Sequence, residues 1–207
     1  MKTILLTVLC SIMFLGANAG GTAREAFVAA PRTVLPLLDH NTRLDMLDYY
    51  DAGLSHTTKN ALDGGSRVLS VDANRILIEM TDASTLEIDL LPGEHNSNTI
   101  AVISTVHTPA ANSTIAFYDE AWHPFDASKI FTAPQISDWI TDKNYEADVT
   151  MLTPFVMSGY TYSPSDKTLT AFNNTEAFLG KDMYESISAW MRPQIVYQWD
   201  GKKFKQQ

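Results

Sequence analysis

The sequence predicts an α+β fold, in which an antiparallel β-sheet, built as a meander plus hairpins, carries helices mainly on one face. Between residues 67 and 119, apolar and polar side chains alternate with a period of two, and short turns interrupt the alternation. On both sides of this region the apolar residues recur at helical spacing. Helices and strands that are segregated along a chain are typical of α+β proteins.

The first strong helix signal lies in residues 31–53, after a shorter predicted helix over residues 23–30. Thr42 and Asp45 have the spacing of a capping box, and Gly53 lies where a left-handed C-terminal cap is expected. A helical wheel places four apolar residues on one face: Leu44, Leu47, Tyr50 and Leu54. We therefore expect an amphipathic helix that packs on the core.

The predicted meander has five strands, at residues 67–71, 75–80, 85–91, 99–108 and 113–119. In the third strand, the apolar residues Leu86, Ile88 and Leu90 alternate with Glu87 and Asp89. This alternation predicts a sheet with one buried face and one face in water.

Downstream of the meander, capping boxes that begin at Thr132 and Asp182 predict two further helices. The predicted strands of this part are residues 149–162, 168–172, 194–199 and 202–206. Asp200-Gly201 is a strong hairpin turn between the last two. We expect a single α+β domain over residues 20–207 with one continuous sheet. A subdivision near residue 143 is the alternative, because helices precede strands on both sides of it.

Residues 1–19 have the features of a signal peptide. Lys2 gives a positive start, residues 4–16 are an apolar run, and Ala17-Asn18-Ala19 is a small-x-small cleavage site. The run is shorter than the roughly 20 residues of a membrane span, so we expect no integral membrane segment after cleavage. The sequence thus predicts an exported protein, in the periplasm or on the cell surface of a Gram-negative bacterium.

The composition argues against several kinds of chemistry. The one cysteine, Cys10, lies in the predicted signal peptide, so the mature chain would have no disulfide, thiolate nucleophile or cysteine-bound zinc. An exported protein without cysteine suits a bacterial envelope. The formal net charge of −9 argues against nucleic acid as a partner, because phosphate binding requires a basic surface.

Three stretches carry a family resemblance: LPLLDHNTRLDMLDYYDAG, IAFYDEAW and the terminal IVYQWDGKKF. The block from Arg43 to Tyr50 is the most specific part. The chain resembles an uncharacterised family of exported Bacteroidales proteins, the domain of unknown function 3256 family, over nearly the whole mature chain. The resemblance implies an envelope or secreted bacterial protein, and it implies no activity, cofactor or catalytic residue.

On the predicted amphipathic helix, Arg43 falls inside the apolar arc, where a guanidinium needs a partner. Asp39, one turn earlier, is the expected ion-pair partner; the alternative is an arginine aimed at an anionic ligand group. Asp45, Asp48 and Asp51 recur every three residues, as in an acid–base pair or a calcium site, but a solvated acidic face is favoured. Arg43 and Asp48 stay candidate binding residues.

No metal site, cofactor or catalytic residue is predicted. Glu120 and His123 have the Glu-x-x-His spacing of helical metal sites, but such sites need two copies, and Pro124 disfavours a helix there. The Gly-x-Ser-x-Gly, Ser-x-x-Lys and His-Glu-x-x-His motifs are missing, as is a phosphate-binding glycine loop. A serine–histidine–aspartate triad built from distant residues remains open. The sequence therefore leaves enzymatic activity uncertain and favours its absence.

Aromatic residues concentrate in the C-terminal third of the chain. Tyr160 and Tyr162 share one strand face at period two, and so do Tyr197 and Trp199. If this face is covered, the rings belong to the core, which is the favoured interpretation. If it is open, Tyr197 and Trp199 form a platform for a sugar or a peptide.

Two functions are carried forward. The leading hypothesis is a non-enzymatic, envelope-associated binding module with a protein or glycan partner. The alternative is a metal-independent hydrolase that acts on envelope or dietary polymers. A hydrolase would require a cleft with two carboxylates roughly 5–10 Å apart.

Overall fold

The computed structural model describes residues 21–207, and the predicted signal peptide of residues 1–19 lies outside this range. The described chain begins with helices α1 (Ala23–Ala29) and α2 (His40–Asp51). Six strands follow: β1 (Thr58–Lys59), β2 (Gly65–Val71), β3 (Arg75–Thr81), β4 (Ser84–Pro92), β5 (Asn98–Val106) and β6 (Asn112–Tyr118). None of the helices in residues 21–207 has the length and apolarity that crossing a bilayer requires.

The second half alternates short helices and hairpins. Its helices are α3 (Ile136–Trp139), α4 (Glu146–Leu152), α5 (Thr175–Leu179) and α6 (Lys181–Ser188). Its strands are β7 (Ser158–Ser163), β8 (Thr168–Asn173), β9 (Gln194–Trp199) and β10 (Phe204–Gln206). The α+β class and the antiparallel pairing are confirmed.

The strands form two antiparallel sheets instead of the single continuous sheet that the sequence predicted. The first sheet is the meander β1-β2-β3-β4-β5-β6, and the second has the order β10-β9-β8-β7. The pairing stops because β6 is followed by about forty residues of loops and short helices before β7 begins at Ser158.

One face of the first sheet packs against α1 and α2, and we call this the helix-side core. It is aliphatic, with residues such as Ile76, Ile78 and Ile88 beneath Phe27 of α1. The alternation along β4 explains the arrangement, since Leu86, Ile88 and Leu90 point to this face.

The other face of the first sheet packs against the second sheet, and we call this the inter-sheet core. It is rich in aromatic rings: Phe117, Phe131, Tyr160, Tyr162, Tyr197, Trp199 and Phe204. Helices α3, α4 and α6 each add a buried side chain to it, Trp139, Val149 and Ile187. The prediction that one side of the meander faces water is therefore wrong, because the second sheet covers that side.

The two sheets are also joined through the edge of β7. Every second backbone amide of β7 points away from β8 and donates to a side chain of the first sheet. Ser158 N donates to Asn112 Oδ1 at 3.2 Å, Tyr160 N to Ser113 Oγ at 2.9 Å, and Tyr162 N to Glu87 Oε1 at 3.2 Å.

Several local predictions were wrong. The capping boxes expected at Thr132 and Asp182 do not form, since α3 has Gln135 as its N-cap residue and α6 begins after Gly180 without a side-chain cap. The predicted strand over residues 149–162 is helix α4 up to Leu152, where Glu146 and Asp148 in the first turn favour a helix through its dipole. Helix α2 begins at His40 instead of after Thr42, since the Asp39 carboxylate accepts the Thr42 N–H at 2.8 Å and caps it. The left-handed cap at Gly53 is confirmed, with φ of 66°.

Candidate functional site

Arg43, the first candidate binding residue, lies inside the molecule. Its guanidinium donates to the carbonyl oxygens of Phe27 at 2.9 Å, Ala30 at 2.5 Å and Asp39 at 3.2 Å. The predicted ion pair with the Asp39 carboxylate does not form, because that carboxylate caps α2 instead. Burial lowers the pKa of Arg43 from its ordinary value. Contact with α1 also rotates α2, so that Met46 is buried and the predicted core residue Leu44 is 40% exposed.

The other candidates divide between surface and core. Asp48 is exposed on α2. Tyr197 and Trp199 are 6% and 4% exposed, because the first sheet covers their face, so they do not form an open platform. Trp199 Nε1 donates to the Pro92 carbonyl oxygen at 2.8 Å, which ties β9 to the end of β4.

The inter-sheet core encloses a polar cluster that the sequence did not reveal. It contains Glu87 and Asp89 of β4, which are 5% and 0% exposed, together with Arg75 and Tyr162. The guanidinium of Arg75 donates to Glu87 and has its Nε 3.9 Å from Asp89 Oδ1. Within residues 21–207, neither carboxyl oxygen of Asp89 has a hydrogen-bond partner, and neither does the Tyr162 hydroxyl.

The protonation of this cluster follows from its burial. Burial and the neighbouring Glu87 carboxylate raise the pKa of Asp89 well above its ordinary value. Burial and the Asp89 charge also raise the pKa of the Tyr162 hydroxyl. Two neighbouring carboxyl groups can act as a catalytic acid and base, but Asp89 is fully buried and no substrate can reach it.

A groove opens at the surface where the second sheet ends, with a volume of about 390 Å³. We call it the C-terminal groove. It is lined by the segment 128–133, by Asp138 of α3, by Tyr197 and by the β10 segment 203–206. The backbone joins its two sides, since Phe204 N donates to the Ile130 carbonyl oxygen at 2.9 Å.

Aromatic rings form the floor of the C-terminal groove. Phe131 meets Tyr197 edge to face with centroids 5.0 Å apart, and it meets Phe204 in the same way at 6.0 Å. These rings are buried, so the floor is rigid. Burial, then the Asp138 and Tyr160 groups, raises the pKa of the Tyr197 hydroxyl to about 12, and it therefore stays a hydrogen-bond donor at neutral pH.

Three lysines stand on the rim of the groove. Lys205 Nζ lies 2.8 Å from Asp200 Oδ2, and Lys129 Nζ lies 3.7 Å from Asp126 Oδ2. Among residues 21–207, Lys203 has no carboxylate within the 4.0 Å of an ion pair. The one acidic lining residue, Asp138, accepts the Gln135 N–H at 2.7 Å and caps α3.

Comparison with known families identifies the chain. The family model described as "Protein of unknown function (DUF3256)" matches residues 16–204. The chain belongs to the DUF3256 family. This confirms the resemblance seen in the sequence.

A solved structure resembles this DUF3256 protein closely. It is a domain of an uncharacterized protein from Porphyromonas gingivalis W83, with a TM-score of 0.74 and 26% sequence identity. The match covers 90% of this chain and 100% of that chain. A search of curated proteins gives no match.

The polar groups that the structure brings together at the surface are those of the C-terminal groove. The described residues contain no group of three or more histidine, cysteine, aspartate or glutamate side chains that could hold a metal. The groove offers lysine ammonium groups, the Ser128 and Thr132 hydroxyls and a tyrosine hydroxyl beside apolar ring edges. The sequence identified Tyr197 as a candidate but not the lysines, because nothing in the sequence brings residues 128–133 next to β10.

Proposed function

We propose that this protein is an exported, non-enzymatic binding module of the bacterial envelope, and that it holds an anionic glycan in the C-terminal groove. The observation that carries the proposal is the lysine rim above an aromatic floor. The signal-peptide features of residues 1–19 support export.

The charge of the groove favours an anionic ligand. Lys129, Lys203 and Lys205 line it with one carboxylate, Asp138, although the whole chain has a formal net charge of −9. Lys129 and Lys205 pair with Asp126 and Asp200 outside the lining, which leaves Lys203 as the ammonium group that supplies the positive charge. A cationic site on an acidic protein attracts anions locally while the rest of the surface repels them. Lys203 is the strongest candidate contact, because no carboxylate neutralises it.

The size and lining of the groove favour a sugar. A volume of about 390 Å³ lies in the range of small-ligand sites. The Tyr197 hydroxyl beside aromatic ring edges suits a sugar ring, which is apolar on its faces and carries hydroxyls around its rim. Ser128 and Thr132 add hydroxyls that can donate to or accept from a carbohydrate. A sugar acid combines the negative charge that the lysines favour with the sugar ring that the lining favours.

The same lining favours binding over hydrolysis. Metal-independent glycoside hydrolysis uses two carboxylates that face the scissile bond. Among the described residues, Asp138 is the one carboxylate that lines the groove, and it already accepts a backbone N–H. The buried pair Glu87 and Asp89 lies inside the inter-sheet core.

Titration calorimetry on residues 20–207 tests the proposal with oligogalacturonate and with a neutral dextran oligosaccharide of equal length. We expect the acidic oligosaccharide alone to bind, with an affinity that falls as salt is added. The double variant Lys129→Ala/Lys203→Ala should weaken this binding about tenfold or more, since each ammonium contributes on the order of 1 kcal/mol.

Lys202→Ala is the matched control. Lys202 is adjacent in sequence, but its Nζ pairs with Glu94 at 3.1 Å and does not line the groove. Its loss should leave the affinity unchanged. Equal binding of dextran, or no binding of either sugar, would contradict the proposal, and release of new reducing ends would favour the hydrolase.

A further inference from the structure

A second surface, far from the groove in sequence, is exposed and apolar. It is formed by Met151 and Leu152 at the end of α4, by Phe155, by Phe178 of α5 and by Met183 of α6. Met151 is 79% exposed, Met183 51%, Phe155 46% and Phe178 44%. We call these residues the apolar patch.

The patch is continuous over three helices. The rings of Phe155 and Phe178 lie 5.4 Å apart, which joins the end of α4 to α5. Helix α5 leads directly into α6 through Gly180, which has φ of 83°. Beside Met183 the surface forms a shallow depression that also involves Leu179 and Asp182.

The core does not need these side chains. Val149 anchors α4 and Ile187 anchors α6 in the inter-sheet core, while Leu179 of α5 and Tyr184 of α6 pack against it from outside. The apolar patch lies outside this core and leaves large side chains partly in water. Clustered exposed apolar residues on a folded protein mark an interaction surface.

The charges around the patch define the partner. Apart from Lys181, the charged residues of the three helices are all acidic: Glu146, Asp148, Glu176, Asp182 and Glu185. Lys181 itself lies 3.7 Å from Glu185. An acidic rim repels an anionic bilayer surface, and a second copy would bring the same negative charge to the interface.

We propose that the apolar patch docks a basic amphipathic segment of a partner protein. Apolar anchors of the segment would pack on the methionine and phenylalanine side chains, while its lysines or arginines would meet the acidic rim. Methionine adapts to varied anchor shapes, which suits a surface that accepts a peptide. This inference is independent of the C-terminal groove, because the two sites share no residue.

Fluorescence anisotropy with designed helical peptides of eighteen residues tests the inference. One peptide has leucine and phenylalanine on one face and lysine on the other, and its partner has glutamate in place of lysine. We expect the protein to bind the lysine peptide at least tenfold more tightly than the glutamate peptide. The variant Met151→Ser/Phe178→Ser should lose at least tenfold in affinity for the lysine peptide.

Leu62→Ser is the matched control, since Leu62 is an apolar residue that is 67% exposed and lies outside the patch. It should bind the lysine peptide as the wild type does. Glu176→Lys/Asp182→Lys balances the charges of the three helices and should abolish the preference between the two peptides without removing any apolar contact.

Three results would overturn the inference. One is equal affinity for the two peptides, and another is unchanged affinity in Met151→Ser/Phe178→Ser. The third is a different occupant: sedimentation with phosphatidylglycerol vesicles would assign a membrane surface, and a dimer that Met151→Ser/Phe178→Ser dissociates would assign a second copy.

Discussion

The two cores of this DUF3256 protein bury charge in different ways. In the helix-side core, Arg43 donates hydrogen bonds to three backbone carbonyl oxygens and has no carboxylate partner among the described residues. In the inter-sheet core, Glu87 pairs with Arg75 while the oxygens of Asp89 lack hydrogen-bond partners among residues 21–207. The first arrangement satisfies a cation, and the second forces an acid toward its neutral form.

This difference shows that burial alone does not identify a functional charge. Arg43 replaces hydration with carbonyl dipoles, so it joins α2 to α1 and stays charged. The Asp89 oxygens accept no hydrogen bond from residues 21–207, and the burial of Asp89 makes folding sensitive to pH. Both groups are buried, whereas the lysines of the C-terminal groove are exposed.

The largest expected effect comes from the helix-side core. Arg43→Met should lower the free energy of unfolding by about 3 kcal/mol, because three carbonyl oxygens lose a charged donor. Urea denaturation followed by circular dichroism measures it. Arg32→Met, at an exposed position, is the control and should stay within about 0.5 kcal/mol of wild type. Unchanged stability in Arg43→Met would show that the three hydrogen bonds of Arg43 do not hold the helix-side core together.

The second prediction concerns the inter-sheet core, where Asp89 should make the free energy of unfolding depend on pH. Because the pKa of Asp89 is raised in the folded protein, the folded chain keeps a proton that the unfolded chain releases above about pH 4. The stability that depends on this proton is complete below that pH and is lost as pH rises toward the folded pKa.

Asp89→Asn removes the titration, so its stability relative to wild type should grow as pH rises from about 4 toward the folded pKa of Asp89. Urea unfolding at pH 4.5, 5.5 and 6.5 measures this difference. Asp45→Asn, on the exposed face of α2, should stay within about 0.5 kcal/mol of wild type at each pH. Parallel curves for wild type and Asp89→Asn would show that Asp89 is ionised in the fold.

The smallest effect on stability is expected at Tyr197, where the inter-sheet core meets the groove. Tyr197→Phe keeps the ring of the floor and should change the free energy of unfolding by less than about 0.5 kcal/mol, while weakening oligogalacturonate binding several-fold. Tyr162→Phe removes an enclosed hydroxyl and should leave binding unchanged. Equal binding losses in the two variants would show that oligogalacturonate does not bind in the C-terminal groove.

Much of the fold follows from local sequence signals. The strands of the meander agree with their alternating pattern, and Gly53 and Asp200-Gly201 mark a helix end and a hairpin. The second layer could not be predicted, because alternation in β4 shows that two faces differ but not what covers the polar one. Glu87 and Asp89 look solvent-facing in the sequence, and only the packing of the second sheet buries them.

The candidate site was predictable only in fragments. The alternation of aromatic residues in its strand identified Tyr197 as a candidate. Its neighbours in the groove, the segment 128–133, lie in an irregular region without periodic spacing of apolar residues. Arg43 stood out because it interrupts an apolar arc, while its carbonyl partners Phe27 and Ala30 belong to another helix. Long-range juxtaposition of this kind is set by tertiary packing.

The joint at β7 has a consequence for self-association. Strand edges with free amides invite other chains to add a strand, which is a route to aggregation at the concentrations found in a crowded compartment. Here Asn112, Ser113 and Glu87 occupy the outward amides of Ser158, Tyr160 and Tyr162. These side-chain acceptors cap the β7 edge as a neighbouring strand would, and they protect the second sheet from growing into a fibril on that side.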